Sequence, residues 1–433
     1  MRIGIAADFG KYANASSLYL IARKIFLELG KIMNEKQTFT IAAIKYEDIG
    51  IGDVNLHYDC IMVPNMGGYR FPHPRALTSN NLVVGLSGID EVVLGEQVFK
   101  SKGEWLKWKP VIEKEVPKWE KYIDKIKFIH VPSNSDKEQM IKFLKIPREK
   151  MHIIPYGVDH EIFKPAINKE KLRKKILGAF YMKDFPYFIH VGESNWARKN
   201  VFRMLDAFEK ARDAGIRHRL IILGRTDPEV YERANTINGV VVLGFVSTEH
   251  LSKLMQCADA LLLPSLHEGF GIPLIEAMAC GVPVITSNVY SLPEVAANGG
   301  LFINPYDVSD IANAIIKMSR DESLRVSLSN NALERSKKFT WENVADSLLK
   351  LIKQNTSFTA EHFDFEESLD IAAYRTLTTR CEITPALNAI ARQDLLEFNY
   401  SKIISWAIES GLENPDYRDY LIPFKEWLIS HET

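Results

Sequence analysis

Leu262-Leu263-Pro264-Ser265-Leu266-His267-Glu268-Gly269-Phe270-Gly271-Ile272-Pro273-Leu274-Ile275-Glu276-Ala277-Met278-Ala279-Cys280-Gly281-Val282-Pro283-Val284-Ile285 is the stretch whose reading decides the fold. An apolar run ends in a loop with two glycines. A helix opened by Pro273 at its first position follows, and a second apolar run closes the unit. Gly269 and Gly271 let backbone N–H groups approach a ligand closely, and the helix start behind them offers unpaired donors and the positive end of a dipole. Glu268 on the loop and Glu276 in the first helical turn are expected to face the same mouth. Carboxylates beside an anion site need hydroxyls to hold, and sugars and ribose supply those.

The same rhythm extends in both directions. Short β-rich runs at residues 187–191, 220–223, 240–243, 260–263 and 282–286 alternate with helical periods such as Val201, Met204, Leu205 and Phe208. Upstream, residues 3–7 form an apolar run, followed by a turn containing Gly10 and a helix through Leu18, Ile21, Ile25 and Leu29. Further runs stand at 40–44, 60–63, 82–86 and 128–131. Two successive α/β cycles predict two Rossmann-like domains, residues 1–170 and 171–345, with a ligand in the crevice at the carboxyl ends of their strands. Thr340 is placed to cap a helix carrying Val344, Leu348 and Ile352, and residues 346–433 read as a helical C-terminal extension.

Composition excludes other classes. At 433 residues the chain exceeds one domain, and 46% hydrophobic with 25% charged residues is ordinary globular usage. Basic and acidic residues balance at 54 against 55, so no net field recruits nucleic acid. Cys60, Cys257, Cys280 and Cys381 lie far apart with no CxxC pair, which offers neither a zinc site nor a disulfide framework and fits a reducing compartment. Residues 1–6 read as a strand rather than a signal peptide, and no apolar run approaches the roughly 18 residues a bilayer span requires. A soluble cytoplasmic protein is the expectation.

The quoted segment resembles the donor site of the GT-B glycosyltransferases, specifically glycosyltransferase family 4, whose hallmark is two glutamates with seven residues between them, here Glu268 and Glu276. The resemblance implies two Rossmann-like domains facing a central cleft, the first for the acceptor and the second for a nucleotide-sugar donor, with the last helices packing partly back on the first domain. It implies that Glu268 and the backbone of Phe270 and Gly271 contact the donor sugar, and that Glu276 holds the ribose hydroxyls. In His190-Val191-Gly192-Glu193-Ser194-Asn195-Trp196-Ala197-Arg198-Lys199-Asn200 it assigns Lys199 to the leaving diphosphate, with Arg198 beside it as a second cation. Gly244-Phe245-Val246 resembles the loop beside the nucleobase, so Phe245 and Val246 join the donor-binding set. Arg225 and Glu294 also match; turn and cap chemistry reads them equally well.

The first domain matches less. Gly10 alone stands where relatives carry a glycine-rich loop, Glu193 stands where many place an arginine, and residues 82–90 lack the relatives' sugar-contacting histidine. Asp90 could take a polar role there or cap the next segment; His73, between two prolines, is the nearest histidine in sequence. No Asp-x-Asp, GxxxxGKS/T, HExxH or complete GxGxxG occurs, so no metal and no cofactor is expected beyond the nucleotide-sugar co-substrate. The implied activity is retaining, metal-independent transfer of a sugar to a hydroxyl of a glycan, lipid-linked or protein acceptor. ARKN followed by EGFGIP favours GDP-mannose mildly over UDP-sugars. The alternative is a non-catalytic relative that binds a nucleotide sugar or a protein partner. Residues 100–127, with nine lysines, five acids and three tryptophans, read either as a peripheral contact with the inner membrane face or as a solvated face over core tryptophans.

Overall fold

The computed structural model describes residues 1–6, 17–36, 39–44, 58–72, 76–77, 81–192 and 197–356. Gly10, His73, Glu193 and the extension beyond residue 356 lie outside the described residues. Strands β1 (Arg2–Ala6), β2 (Thr40–Ile44), β3 (Cys60–Gly67), β4 (Leu82–Ser87), β5 (Ile126–Val131) and β6 (Met151–Ile153) form one parallel sheet in the order β2-β1-β3-β4-β5-β6. Strands β7 (Tyr187–Val191), β8 (Arg219–Leu223), β9 (Val240–Gly244), β10 (Ala260–Leu263), β11 (Val284–Ser287) and β12 (Gly300–Ile303) form a second, in the order β12-β11-β10-β7-β8-β9. Read from β9, the second sheet has the doubly wound nucleotide-binding order, and its direction reverses between β7 and β10.

The strands form where apolar runs are buried on both faces, as in β10, whose four residues are all fully buried. β6 and β12 were not expected from the sequence. Both lie at sheet edges and are incompletely buried, and neither carries a four-residue apolar run like that of β10: β6 has three residues with His152 at its centre, and β12 opens on Gly300.

Helix Ser17–Lys36 lays Ile21, Ile25 and Leu29 into the core shared with β1 and β3. Helix Trp341–Asn355 is capped by Thr340, whose Oγ accepts the Asn343 N–H at 3.2 Å, and packs Val344, Leu348 and Ile352 into the same core against helix Ser17–Lys36. The boundary drawn at 345/346 therefore falls inside one helix, because the apolar period runs unbroken from Trp341 to Ile352. The return to the first domain begins at Trp341. The boundary at 170/171 likewise falls inside helix Lys169–Ala179, which packs on helix Thr248–Cys257 of the second domain.

The lysine- and tryptophan-rich stretch is helix Lys102–Tyr122. Trp119 is fully buried and donates its indole N–H to the Tyr69 carbonyl at 2.9 Å, while Lys107, Lys109, Lys114, Lys121 and Leu106 face solvent. Leu348 joins the last described helix to the first domain. Leu348→Ala should lower stability by about 2 to 5 kcal/mol, read as a lower urea midpoint at unchanged slope.

Candidate functional site

The reversal between β7 and β10 lays the segments that follow these strands side by side. Behind β7, the turn Ala197–Lys199 leads to Asn200 in the left-handed region (φ 60°), which opens helix Val201–Asp213. Asn200 Nδ2 donates to the carbonyls of Pro264 at 3.0 Å and Pro305 at 2.6 Å. The Leu266 N–H donates to the Arg198 carbonyl at 2.7 Å. These bonds tie the cationic turn to the loop after β10, so residues some seventy apart in sequence meet with little freedom.

The result is a buried charge cluster. Glu268 accepts from Lys199 Nζ at 2.5 Å and Ser265 Oγ at 2.8 Å on one oxygen, and from Arg198 Nη1 at 2.9 Å on the other. Burial by itself would raise the Glu268 carboxyl, but Lys199 and Arg198 outweigh it and hold the group down to about 2. Burial pulls the Lys199 ammonium below its ordinary value, against the attraction of Glu268. Burial also opposes the charge on Arg198, yet Glu268 and Asp90 keep its guanidinium above the usual range. Arg198 Nε lies 3.2 Å from Asp90 Oδ2, so this arginine joins the two domains. Asp90 opens the short helix Asp90–Val93 without capping it, and its carboxylate is turned to Arg198 instead.

Gly271 stands at φ 92° as the N-cap of helix Ile272–Ala279, a conformation that favours glycine. Two expectations need correcting. Pro273 is the second helical residue, not the first, because Ile272 already has helical geometry. Glu276 is the fifth, so it stands in the second turn and not the first. Its carboxyl is buried and has no hydrogen-bond or ionic partner among the described residues, and burial pushes it up to about 8. The two glutamates are thus unlike: Glu268 is a carboxylate held down by two cations, while burial shifts Glu276 towards its neutral form. The Phe270 ring packs in the core against Tyr156 and Phe339 at centroid distances of 5.4 and 5.6 Å. Phe245 is 60% exposed at the end of β9, and Val246 beside it is partly buried. Among the described residues no group of three or more His, Cys, Asp or Glu is placed to hold a metal ion.

Sequence reading missed the first-domain residues that hold the loop. Ser133 Oγ accepts the Asp136 N–H and donates to the Gly269 carbonyl, each at 3.0 Å. His267 Nε2 donates to Gln139 Oε1 at 2.7 Å. A Cβ at Gly269 would come within 2.7 Å of Asp136 Oδ2 and of the Gly88 nitrogen, so the loop passes where only glycine fits. The signal was present: Ser133-x-x-Asp136 is a capping pattern ahead of an apolar helix period. Glu294 does provide cap chemistry, but for a helix of the other domain. Its carboxylate accepts the N–H groups of Asn134, at 2.9 and 3.0 Å, and Ser135, at 3.2 Å, of helix Asn134–Leu144.

Residues 172–335 match the family model of the glycosyl transferases, group 1. The match spans most of the second domain, including the charge cluster and both glutamates. The O-antigen chain mannosyltransferase B of Escherichia coli is 30% identical over 238 residues, covering 53% of this chain and 61% of the relative; the chain therefore spans less than two thirds of that protein's length. Among solved structures, sucrose-phosphate synthase from Thermosynechococcus elongatus superposes with TM-score 0.60 at 18% identity, over 82% of this chain and 98% of the other. Anabaena HepE, solved in complex with UDP-glucose, does so with TM-score 0.60 at 16% identity, over 82% and 100%. The fold is GT-B, two Rossmann-like domains facing a cleft.

The raised Glu276 has a pH consequence. The folded state holds this proton more tightly than the unfolded chain, so its contribution is fully present below the ordinary carboxyl value of 4.5 and is lost as pH rises towards 8. Urea unfolding at a series of pH values should show the wild type losing stability across that window, on the order of a few kcal/mol, relative to Glu276→Gln.

Proposed function

We propose that the chain is a retaining glycosyltransferase that moves a sugar from a nucleotide-diphosphate donor to an acceptor hydroxyl without an obligatory metal. The observation that carries this is the Arg198–Lys199–Glu268 cluster at the β7/β10 reversal, beside the helix start that follows Gly271. A diphosphate arriving there competes with Glu268 for two cations already held in place, and the N–H groups at the helix start add donors that need no reorganisation. Glu268, released from its partners, turns its oxygens to the sugar hydroxyls. Glu276 takes the ribose hydroxyls, and its buried carboxyl, unpartnered among the described residues, gives it the capacity to do so. The leaving diphosphate oxygen, stabilised by Lys199 and Arg198, accepts the acceptor's proton on the face it leaves, so the anomeric configuration is kept.

GDP-mannose stands ahead of UDP-sugars as donor, supported by the ARKN and EGFGIP segments and by the similarity to a mannosyltransferase. The acceptor is a hydroxyl of a glycan, a lipid-linked glycan or a protein, met on the cytoplasmic side of a membrane. Titration with GDP and UDP, followed by transfer assays with the matching donor sugars, tests the reading. Glu276→Ala should weaken nucleotide binding by about 1 to 3 kcal/mol. Lys199→Ala should lower turnover on the order of a hundredfold. Tight nucleotide binding with no transfer to any hydroxyl acceptor would replace the enzyme with a nucleotide-sugar-binding relative.

Among the described residues no helix is long and apolar enough to cross a membrane. Contact with anionic headgroups falls to the exposed lysines of helix Lys102–Tyr122 around Leu106. Sedimentation with vesicles should show binding to phosphatidylglycerol-containing but not neutral membranes. The double variant K107E/K114E should weaken it by about 1 kcal/mol per removed lysine or more.

A further inference from the structure

A helix start exposes four backbone N–H groups that need acceptors. In helix Asn134–Leu144 the local chain serves only the last of these, through Ser133 Oγ, which takes the Asp136 N–H at 3.0 Å; the regular intrahelical ladder begins with the Lys137 N–H on the Ser133 carbonyl at 3.2 Å. The N–H groups of Asn134 and Ser135 turn instead to Glu294, some 160 residues away and in the other domain. A carboxylate at this end of a helix also meets the positive end of the dipole. Glu294 is aimed there by its own backbone, since Arg335 Nη2 donates to the Glu294 carbonyl at 2.8 Å and Arg335 Nε to the Val295 carbonyl at 3.1 Å. The capped helix is the one that grips the donor-site loop, through Ser133 on the Gly269 carbonyl and Gln139 on His267.

We propose that Glu294 is a positioning residue: from the second domain it caps the first-domain helix Asn134–Leu144 and thereby sets how that helix holds the loop Glu268–Gly271 over the donor sugar. It touches neither donor nor acceptor. It acts by completing a helix start that the first domain leaves half finished, so the first-domain grip on the loop exists only when the two domains meet in this arrangement. Its effect on turnover rests on the glycosyl-transfer reading above; its effect on the helix does not.

The test is Glu294→Ala beside the conservative Glu294→Gln, in the full chain. Three quantities are read: amide exchange at Asn134 and Ser135, affinity for GDP or UDP, and transfer from the sugar donor. Loss of a cap corresponds to about tenfold in the local equilibrium, so exchange at these two amides should quicken by about that factor in the alanine variant and less in the glutamine variant, which keeps one acceptor oxygen. The bare nucleotide is held by second-domain groups, so its affinity should stay within about threefold, while kcat for transfer falls about tenfold. Unchanged exchange at Asn134 and Ser135 would overturn the proposal whatever the activity does. Faster exchange with unchanged kcat would overturn the positioning role, as would a kcat loss matched by an equal loss of nucleotide affinity. If the wild type transfers no sugar and binds no nucleotide, the functional reading falls with it, and the exchange result alone decides whether Glu294 joins the domains.

Discussion

Everything at the centre of this molecule is organised around one buried carboxylate. Glu268 is held between Lys199 and Arg198, with Ser265 on the same oxygen as the lysine. Taking Glu268 and Lys199 out of water, with Arg198 partly exposed beside them, is costly unless the charges face each other with good geometry, so the backbone around them is heavily constrained. Asn200 grips two carbonyls from its left-handed position, Leu266 bonds back to Arg198, and Ser291 holds the Glu268 carbonyl at 2.7 Å. The cluster is therefore preorganised before any ligand arrives. Its own carboxylate occupies both cations.

The second glutamate follows the opposite logic. Glu276 stands in the helix behind the loop with no partner among the described residues, and burial raises its carboxyl where two cations hold Glu268 down. The pair shows how environment divides two chemically identical groups: one stabilised by opposite charge, the other by taking up a proton. A partnerless buried carboxyl costs stability that core packing must offset, and such groups recur where a ligand completes the structure.

The charge cluster and its loop are not the property of one domain. Arg198 reaches Asp90, Ser133 reaches the Gly269 carbonyl, and Glu294 finishes a helix across the cleft. Helix Trp341–Asn355 adds apolar contact by returning to helix Ser17–Lys36. Domain arrangement and the geometry of the loop Glu268–Gly271 are thus coupled by short, directional bonds, while the return helix adds apolar burial between the domains.

What the sequence determined by itself was local. Apolar runs of four to six residues set the long central strands, the period of Val344, Leu348 and Ile352 set the last described helix, and the segment from Pro264 to Pro283 marked the donor loop, because each of these signals lies within one element. The family resemblance pointed to Arg198, Lys199, Glu268 and Glu276, but not to their mutual state. Tertiary structure alone decided that Glu268 is a carboxylate held down by two cations and that Glu276 is shifted towards its neutral form, since burial and partners seventy residues apart set those charges. It also decided that Asp90 pairs with Arg198 and that Glu294 caps a helix other than its own. The edge strands β6 and β12 belong with these: their hydrogen bonds come from a neighbouring strand, and their incompletely buried residues, interrupted by His152 or opened by Gly300, form no continuous apolar run that announces it. Elements whose partners are near in sequence were legible; contacts made by bringing two domains together were not.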